Sequence, residues 1–183
     1  DGRWVLFSAK RDEDKAAQLY VLPLAGGEAR RLTNVPTGAG SAKWFTDSRR
    51  IAFLSAVWPD LPDFAAQGKR LKEREDSKMS GRVYERAPVT YWDHFLNDRE
   101  THVWVTTLEG RTPTSPTLAA RRALPPQDPG AGSYDISPDG KELAFVSDTD
   151  ATGIQSNADV FVVPMADESS NAGAPAMPVV ATN

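Results

Sequence analysis

Apolar and polar positions alternate along this chain in short bursts, and the bursts repeat. DGRWVLFSAK (Asp1 to Lys10), DSRRIAFLSA (Asp47 to Ala56) and DGKELAFVSD (Asp139 to Asp148) each open on an Asp-Gly or Asp-Ser turn, then a basic residue, then a short apolar stretch. In register, Val5, Ile51 and Leu143 coincide, and so do Phe7, Phe53 and Phe145. A second burst follows each: QLYVLPL (Gln18 to Leu24), HVWVTTL (His102 to Leu108) and DVFVVPM (Asp159 to Met165), which align Tyr20 with Trp104 and Phe161. Alternation over four to eight residues, rich in Val, Ile and aromatics and bounded by turn residues, predicts strands. GSAKWFTD and GSYDISPD precede the second and third Asp turns. GEARRLT (Gly27 to Thr33), ARRALP (Ala120 to Pro125) and PVVAT (Pro178 to Thr182) are expected as closing strands.

Four short strands per unit of roughly 40–45 residues, repeated, predict β-propeller blades. A four-stranded sheet that is apolar on both faces cannot bury itself, but stacking such sheets around an axis buries both. The expected fold is therefore all-β: a partial propeller of about three four-stranded antiparallel blades, spanning approximately residues 1–36, 37–126 and 127–183. A two-sheet sandwich is the competing architecture. The chain opens at Asp1 and not at Met, so its start, with the strand before Asp1, is expected upstream.

The middle unit carries an insertion, residues 57–100. Its stretch Asp63 to Ser80 is polar and rich in helix formers, with Asp63 placed as N-cap and Gly81 past the end. A short exposed helix is expected, or two pieces broken near Gly68, anchored by Phe64, Leu71 and Met79. Such a helix gains little by itself and must dock on the propeller or on a partner domain. The aromatics that follow, Tyr84, Tyr91, Trp92, Phe95 and Trp104, are expected to pack the blade and seat the insertion, or else to line a pocket; Tyr84, Tyr91 and Trp92 are the pocket candidates.

Composition narrows the chemistry. Of 183 residues, 40% are hydrophobic and 25% charged, with mixed signs and a net charge of -4. Nucleic acid is excluded as the main partner, because phosphate binding needs a basic surface. No apolar run approaches the ~20 residues of a membrane-spanning helix. Cysteine is absent, which removes disulfides and thiolate chemistry. His94 and His102 have no companion at metal-ligand spacing, and a structural place is expected for both. Asp12-Glu13-Asp14 and Asp148-Thr149-Asp150 fall in corresponding loops but lack a calcium-loop pattern. No metal and no cofactor is expected. Asp167 to Pro178 is expected to be a mobile loop.

VYERAPVTYWDHFLNDRETHVWV, within Arg82 to Val105, resembles a segment of bacterial dipeptidyl-peptidase and acylaminoacyl-peptidase members of the prolyl oligopeptidase family. GSYDISPDGKELAFVSD is similar to the repeat of those propellers and equally to that of TolB-type propellers. The resemblance implies a parent serine peptidase that hydrolyses short peptides, with the propeller as a gate over an α/β-hydrolase domain. Its Gly-x-Ser-x-Gly elbow is absent from these residues, so no catalytic residue is assigned here. It also implies acidic side chains from a propeller insertion that hold a substrate amine, for which Glu73, Glu75 and Glu85 are the candidates. The implied partners are a peptide substrate and the hydrolase domain, with no membrane. The implied compartment is bacterial periplasm or cytoplasm, the periplasm slightly preferred. The alternative is a non-catalytic TolB-like propeller that binds a protein.

Overall fold

The Asp turns show first why these residues fold as they do. In each, a carboxylate oxygen of the Asp accepts the backbone N–H two residues on: Arg3 at 3.1 Å, Arg49 at 2.8 Å and Lys141 at 3.0 Å. The residue between is left-handed in all three, Gly2 at φ 70°, Ser48 at 57° and Gly140 at 69°. A side-chain-closed turn with positive φ reverses the chain tightly, which is what Asp followed by Gly supplies. The computed structural model describes residues 1–11, 13–61, 63–78, 81, 89–96, 98–150, 157–165 and 179–180.

Strands leave each turn in the expected register. β1 (Trp4–Ala9), β2 (Gln18–Pro23) and β3 (Arg30–Arg31) form the first antiparallel sheet. β4 (Gly40–Trp44) and β5 (Arg50–Val57) pair, with β8 (Glu100–Thr107) on the far side of β5, as the second. Between β5 and β8 lie α1 (Phe64–Ser77) and a hairpin of β6 (Thr90–Tyr91) and β7 (His94–Phe95). After β8 comes a one-turn α2 (Pro116–Ala119). β9 (Tyr134–Ile136), β10 (Glu142–Asp148), β11 (Ala158–Pro164) and β12 (Val179–Val180) form the third sheet, in the order β12-β11-β10-β9.

One cross-strand pair recurs in every sheet: Phe7 opposite Tyr20, Phe53 opposite Trp104, Phe145 opposite Phe161. Its neighbour recurs too: Leu6 with Val21, Ala52 with Val105, Ala144 with Val162. Pro23 and Pro164 end their strands, where the missing donor costs nothing to the ladder.

Two cores result, one on each face of the second sheet. Ile51, Phe53, Val57 and Trp104 pack with Leu19, Val21 and Leu32 of the first repeat. Ala52, Leu54, Val103 and Val105 pack with Leu143, Phe145, Phe161 and Val163 of the third. Alternate residues of one strand thus serve opposite neighbours. The turns line up as well: the Asp1 ammonium donates to Ser48 Oγ at 3.2 Å, and Arg50 donates to the Gly140 carbonyl at 3.0 Å. Three antiparallel sheets stacked in chain order make an all-β, propeller-like arrangement, and the two-sheet sandwich is ruled out.

Several expectations are corrected. Ala120 to Pro125 is not a strand; the outer edge of the second sheet is one bridge, Thr114 with Val105, followed by α2. Ser115 caps α2 by accepting the Leu118 N–H, and Pro116 begins it. Within GEARRLT only Arg30–Arg31 pairs as strand. The insertion helix is continuous through Gly68 and ends at Ser77, capped by left-handed Lys78. A Cβ on Gly68 would stand 3.2 Å from the Pro36 ring, so this glycine permits close approach rather than a break. Met79, residues 151–156 and the loop expected at 167–178 lie outside the described residues.

His102 is fully buried and part of a repeated device. In the first sheet the Thr33 hydroxyl accepts the Leu19 N–H at 2.9 Å and donates to Gln18 Oε1 at 2.9 Å. In the second the Thr117 hydroxyl accepts the Val103 N–H at 3.0 Å and lies 3.1 Å from His102 Nδ1. The other ring nitrogen, Nε2, lies 3.4 Å from Glu100 Oε2. Thr117 of α2 therefore does in the second repeat what Thr33, just after β3, does in the first.

Candidate functional site

The insertion leaves β5 at the end opposite the Asp turns, and its chemistry centres on Trp58. The indole is buried, and its N–H donates to Asp98 Oδ2 at 2.9 Å. Gln67, buried on α1, holds both backbone groups of Trp58: Oε1 accepts its N–H at 3.0 Å, and Nε2 donates to its carbonyl at 2.8 Å. The guanidinium groups of Arg70, Arg74 and Arg99 lie 5.2, 4.7 and 5.7 Å from the ring centroid, within cation–π range. Arg70 forks onto Asp60 at 3.1 and 2.8 Å, and Arg74 bridges both oxygens of Asp98.

These charges set one another. Burial pushes Asp98 up, but hydrogen bonds from Arg74 and Trp58 more than offset it, so its pKa is lowered. The Arg70 hydrogen bond lowers Asp60. Burial pulls Arg99 down.

Phe64, Gln67, Arg70 and Arg74 form one stripe of α1, three to four residues apart. Phe64 meets Trp104 with ring centroids 4.5 Å apart, joining the stripe to the core between the first two sheets. The helix thus docks on its own fold, mainly through polar groups. Asp63 caps it as expected, accepting the Ala66 N–H at 2.8 Å.

The candidate residues lie around this anchor. Glu73 and Glu75 are both on α1 with exposed carboxylates, 3.9 Å from Lys69 Nζ and 3.8 Å from Lys15 Nζ respectively. Being two apart, they diverge instead of converging on one point. Glu85 and Tyr84 lie outside the described residues. Tyr91 and Trp92 sit on the β6–β7 hairpin with rings 6.5 Å apart, edge to face. Trp92 occupies the first turn position at φ 52° and is 87% exposed, and Phe95 beside it is 63% exposed. A two-residue hairpin turn of this kind favours Asn or Gly there, and a bulky residue at positive φ is strained. An open groove of about 440 Å³ lies elsewhere, lined in part by Arg31, Asn34, Phe64 and Arg111, and takes in none of the candidates.

Among the described residues no group of His, Cys, Asp or Glu is arranged to hold a metal ion. In the two acidic loops the carboxylates of Asp14 and Asp148 are engaged internally. Asp14 accepts the Tyr20 hydroxyl at 2.6 Å and pairs with Arg31, while Asp148 accepts the N–H groups of Asp150 and Asn157.

Comparison with known proteins adds to this geometry. No family model matches the chain. A 79-residue stretch is 33% identical to an uncharacterized peptidase, YuxL, of Bacillus subtilis (strain 168), covering 43% of this chain and 11% of that protein. An acylaminoacyl peptidase of Pyrococcus horikoshii superposes over the whole chain with a TM-score of 0.59, at 15% identity and over 24% of its own length. The chain resembles one piece of a peptidase. A TolB of Agrobacterium tumefaciens superposes over 90% of the chain and 43% of its own, at 17% identity and a TM-score of 0.46. The chain thus spans about a tenth of the curated relative and a quarter of the structural neighbour.

The Trp58 anchor was not read from the sequence. A signal was there: Gln67, Arg70 and Arg74 stand in helical spacing with Phe64, which marks a docked face even when its members are polar.

Proposed function

We propose that this chain is the propeller portion, about three blades, of a serine-type peptidase that hydrolyses short peptides, of dipeptidyl- or acylaminoacyl-peptidase type. The observation that carries the reading is the 33% identical match to a peptidase, joined to a fold like that of an acylaminoacyl peptidase. In this reading an α/β-hydrolase domain of the same polypeptide supplies the nucleophile, and the propeller excludes folded proteins from it. The insertion is its contact with substrate: Tyr84, Tyr91 and Trp92 line the approach, and Glu73, Glu75 or Glu85 meets the peptide ammonium, which seeks a carboxylate. Docking of α1 through Trp58 supports this, because a ligand-holding helix needs a rigid base.

The test uses the longest polypeptide that contains this chain. It is assayed on dipeptidyl and acetyl-amino-acid p-nitroanilides, with and without a serine-directed phosphonate. Phosphonate-sensitive hydrolysis by the long polypeptide, and none by the 183 residues alone, is the expected result. An inert long polypeptide overturns the reading in favour of a non-catalytic propeller. For the amine contact, Glu73→Ala, Glu75→Ala and Glu85→Ala are compared on free and N-blocked peptides. Selective loss on free peptides is expected from at least one, and equal loss on both kinds removes the assignment.

A further inference from the structure

Three stretches of the insertion meet at one side chain. Trp58 is the first residue after β5. Gln67, Arg70 and Arg74 address it from α1, and Asp98 and Arg99 from the two residues before β8. Asp98 is the group that ties these stretches to one another. Its Oδ2 accepts the Trp58 indole N–H at 2.9 Å, its Oδ1 accepts an Arg74 N–H at 2.9 Å, and a second Arg74 N–H returns to Oδ2. A forked guanidinium–carboxylate pair fixes orientation as well as distance, which a single contact between long side chains does not.

What the bridge joins is the two arms of the insertion. Arg74 stands between Glu73 and Glu75 on α1. On the other side, the Leu96 N–H donates to the Val89 carbonyl at 2.9 Å and closes the base of the β6–β7 hairpin, and Asp98 follows two residues on. One end of the bridge is therefore the helix turn with the glutamates, and the other is the foot of the hairpin with Tyr91 and Trp92. We propose that Asp98 is a positioning residue that makes α1 and the hairpin one recognition unit, whose ligand is a peptide N-terminus bearing an apolar side chain. The carboxylate arm suits the ammonium and the aromatic arm suits the side chain. With the bridge in place the two contacts keep a fixed spacing, so one ligand gains both; without it each arm is held to its sheet alone. The inference rests on the peptidase reading, which gives the glutamates an ammonium to meet.

The test compares Asp98→Asn and Asp98→Glu with wild type in the longest polypeptide that contains this chain, on Leu-Ala-p-nitroanilide and its N-acetyl form. Asparagine keeps the size and an acceptor for Trp58 but loses the charge that holds Arg74. It is expected to raise KM for the free peptide roughly tenfold to a hundredfold, with kcat and the N-acetyl KM little changed. Asp98→Glu, which keeps the charge, is expected to recover most of the loss. Trp92→Ala is expected to cost less in the Asp98→Asn background than alone, because the spacing it depends on is already lost. Equal KM changes on both substrates, additive costs of the two variants, or an Asp98→Asn enzyme like wild type each overturn the proposal. Hydrogen exchange on the same polypeptide separates its failure from that of the peptidase reading. Asp98→Asn is expected to raise exchange in α1 and in the hairpin together, with β5 and β8 unchanged. A rise confined to α1 overturns the proposal even in an active peptidase. An inert polypeptide removes the ligand along with the peptidase reading, and exchange then decides the coupling of the two arms by itself.

Discussion

The second and third sheets share one residue pattern and differ in what lies against them. Phe53 and Phe145 hold the same register and both face the preceding sheet, and both are fully buried. Val103 and Val160 also share a register, yet Val103 is inaccessible and Val160 is 46% exposed. The residue type is the same, so burial here is a property of the neighbour and not of the strand. Two-sided apolar strands are written for stacking, and a strand shows which of its faces has found a partner only in the fold.

The most severe break of that comparison is Phe53→Ala. It opens a cavity in a covered face and should cost about 3–5 kcal/mol, measured as a lowered urea midpoint. Gln67→Leu comes next. It leaves the N–H and carbonyl of buried Trp58 without their partners, at about 2 kcal/mol, and should raise hydrogen exchange in α1 before the sheets are affected. Trp92→Asn acts in the other direction. It relieves a bulky residue at positive φ and should stabilise the hairpin by about 1 kcal/mol. Val160→Ala on the open face should change stability by no more than about 0.5 kcal/mol in the monomer.

The insertion extends the contrast to pH. Asp98 has its pKa lowered in the fold by Arg74 and Trp58, against the effect of burial. Its contribution is therefore present above the ordinary carboxylate value of about 3.9 and is lost as pH falls through the lowered one. Protection of α1 amides should fall below about pH 4 while β5 and β8 stay protected. Asp98→Asn should remove that step. An α1 that keeps its protection to the acid limit would show that Arg74 and Asp98 do not hold it.

The strand register was legible because both of its causes are local. An Asp turn sets where each hairpin begins, and a two-residue period sets which side chains align, so Phe7, Phe53 and Phe145 could be matched without coordinates. The missing fourth strand at Ala120 to Pro125 was misread because its apolar residues suit an edge strand. Ser115-Pro116, an N-cap followed by a first-turn proline, was the competing signal, and α2 is what formed. Anchoring of α1 by Gln67, Arg70 and Arg74 escaped a search for apolar anchors, since it works by hydrogen bonds and cation–π contacts. Trp92 was expected to be covered or in a pocket because aromatics usually are; its exposure at the hairpin turn depends on tertiary placement that no pattern of spacing encodes. A structural place was legible for His102, but its burial shows only in the parallel between Thr33 and Thr117.

The stacking order itself is tested most directly by nuclear Overhauser contacts between methyl and aromatic protons. Leu19 and Val21 should show contacts to the Ile51, Phe53 and Trp104 set, and Val103 and Val105 to the Phe145 and Phe161 set, with none from Leu19 or Val21 to Phe145 or Phe161. Contacts from Leu19 or Val21 straight to Phe145 or Phe161 would place the first and third sheets face to face and contradict the account.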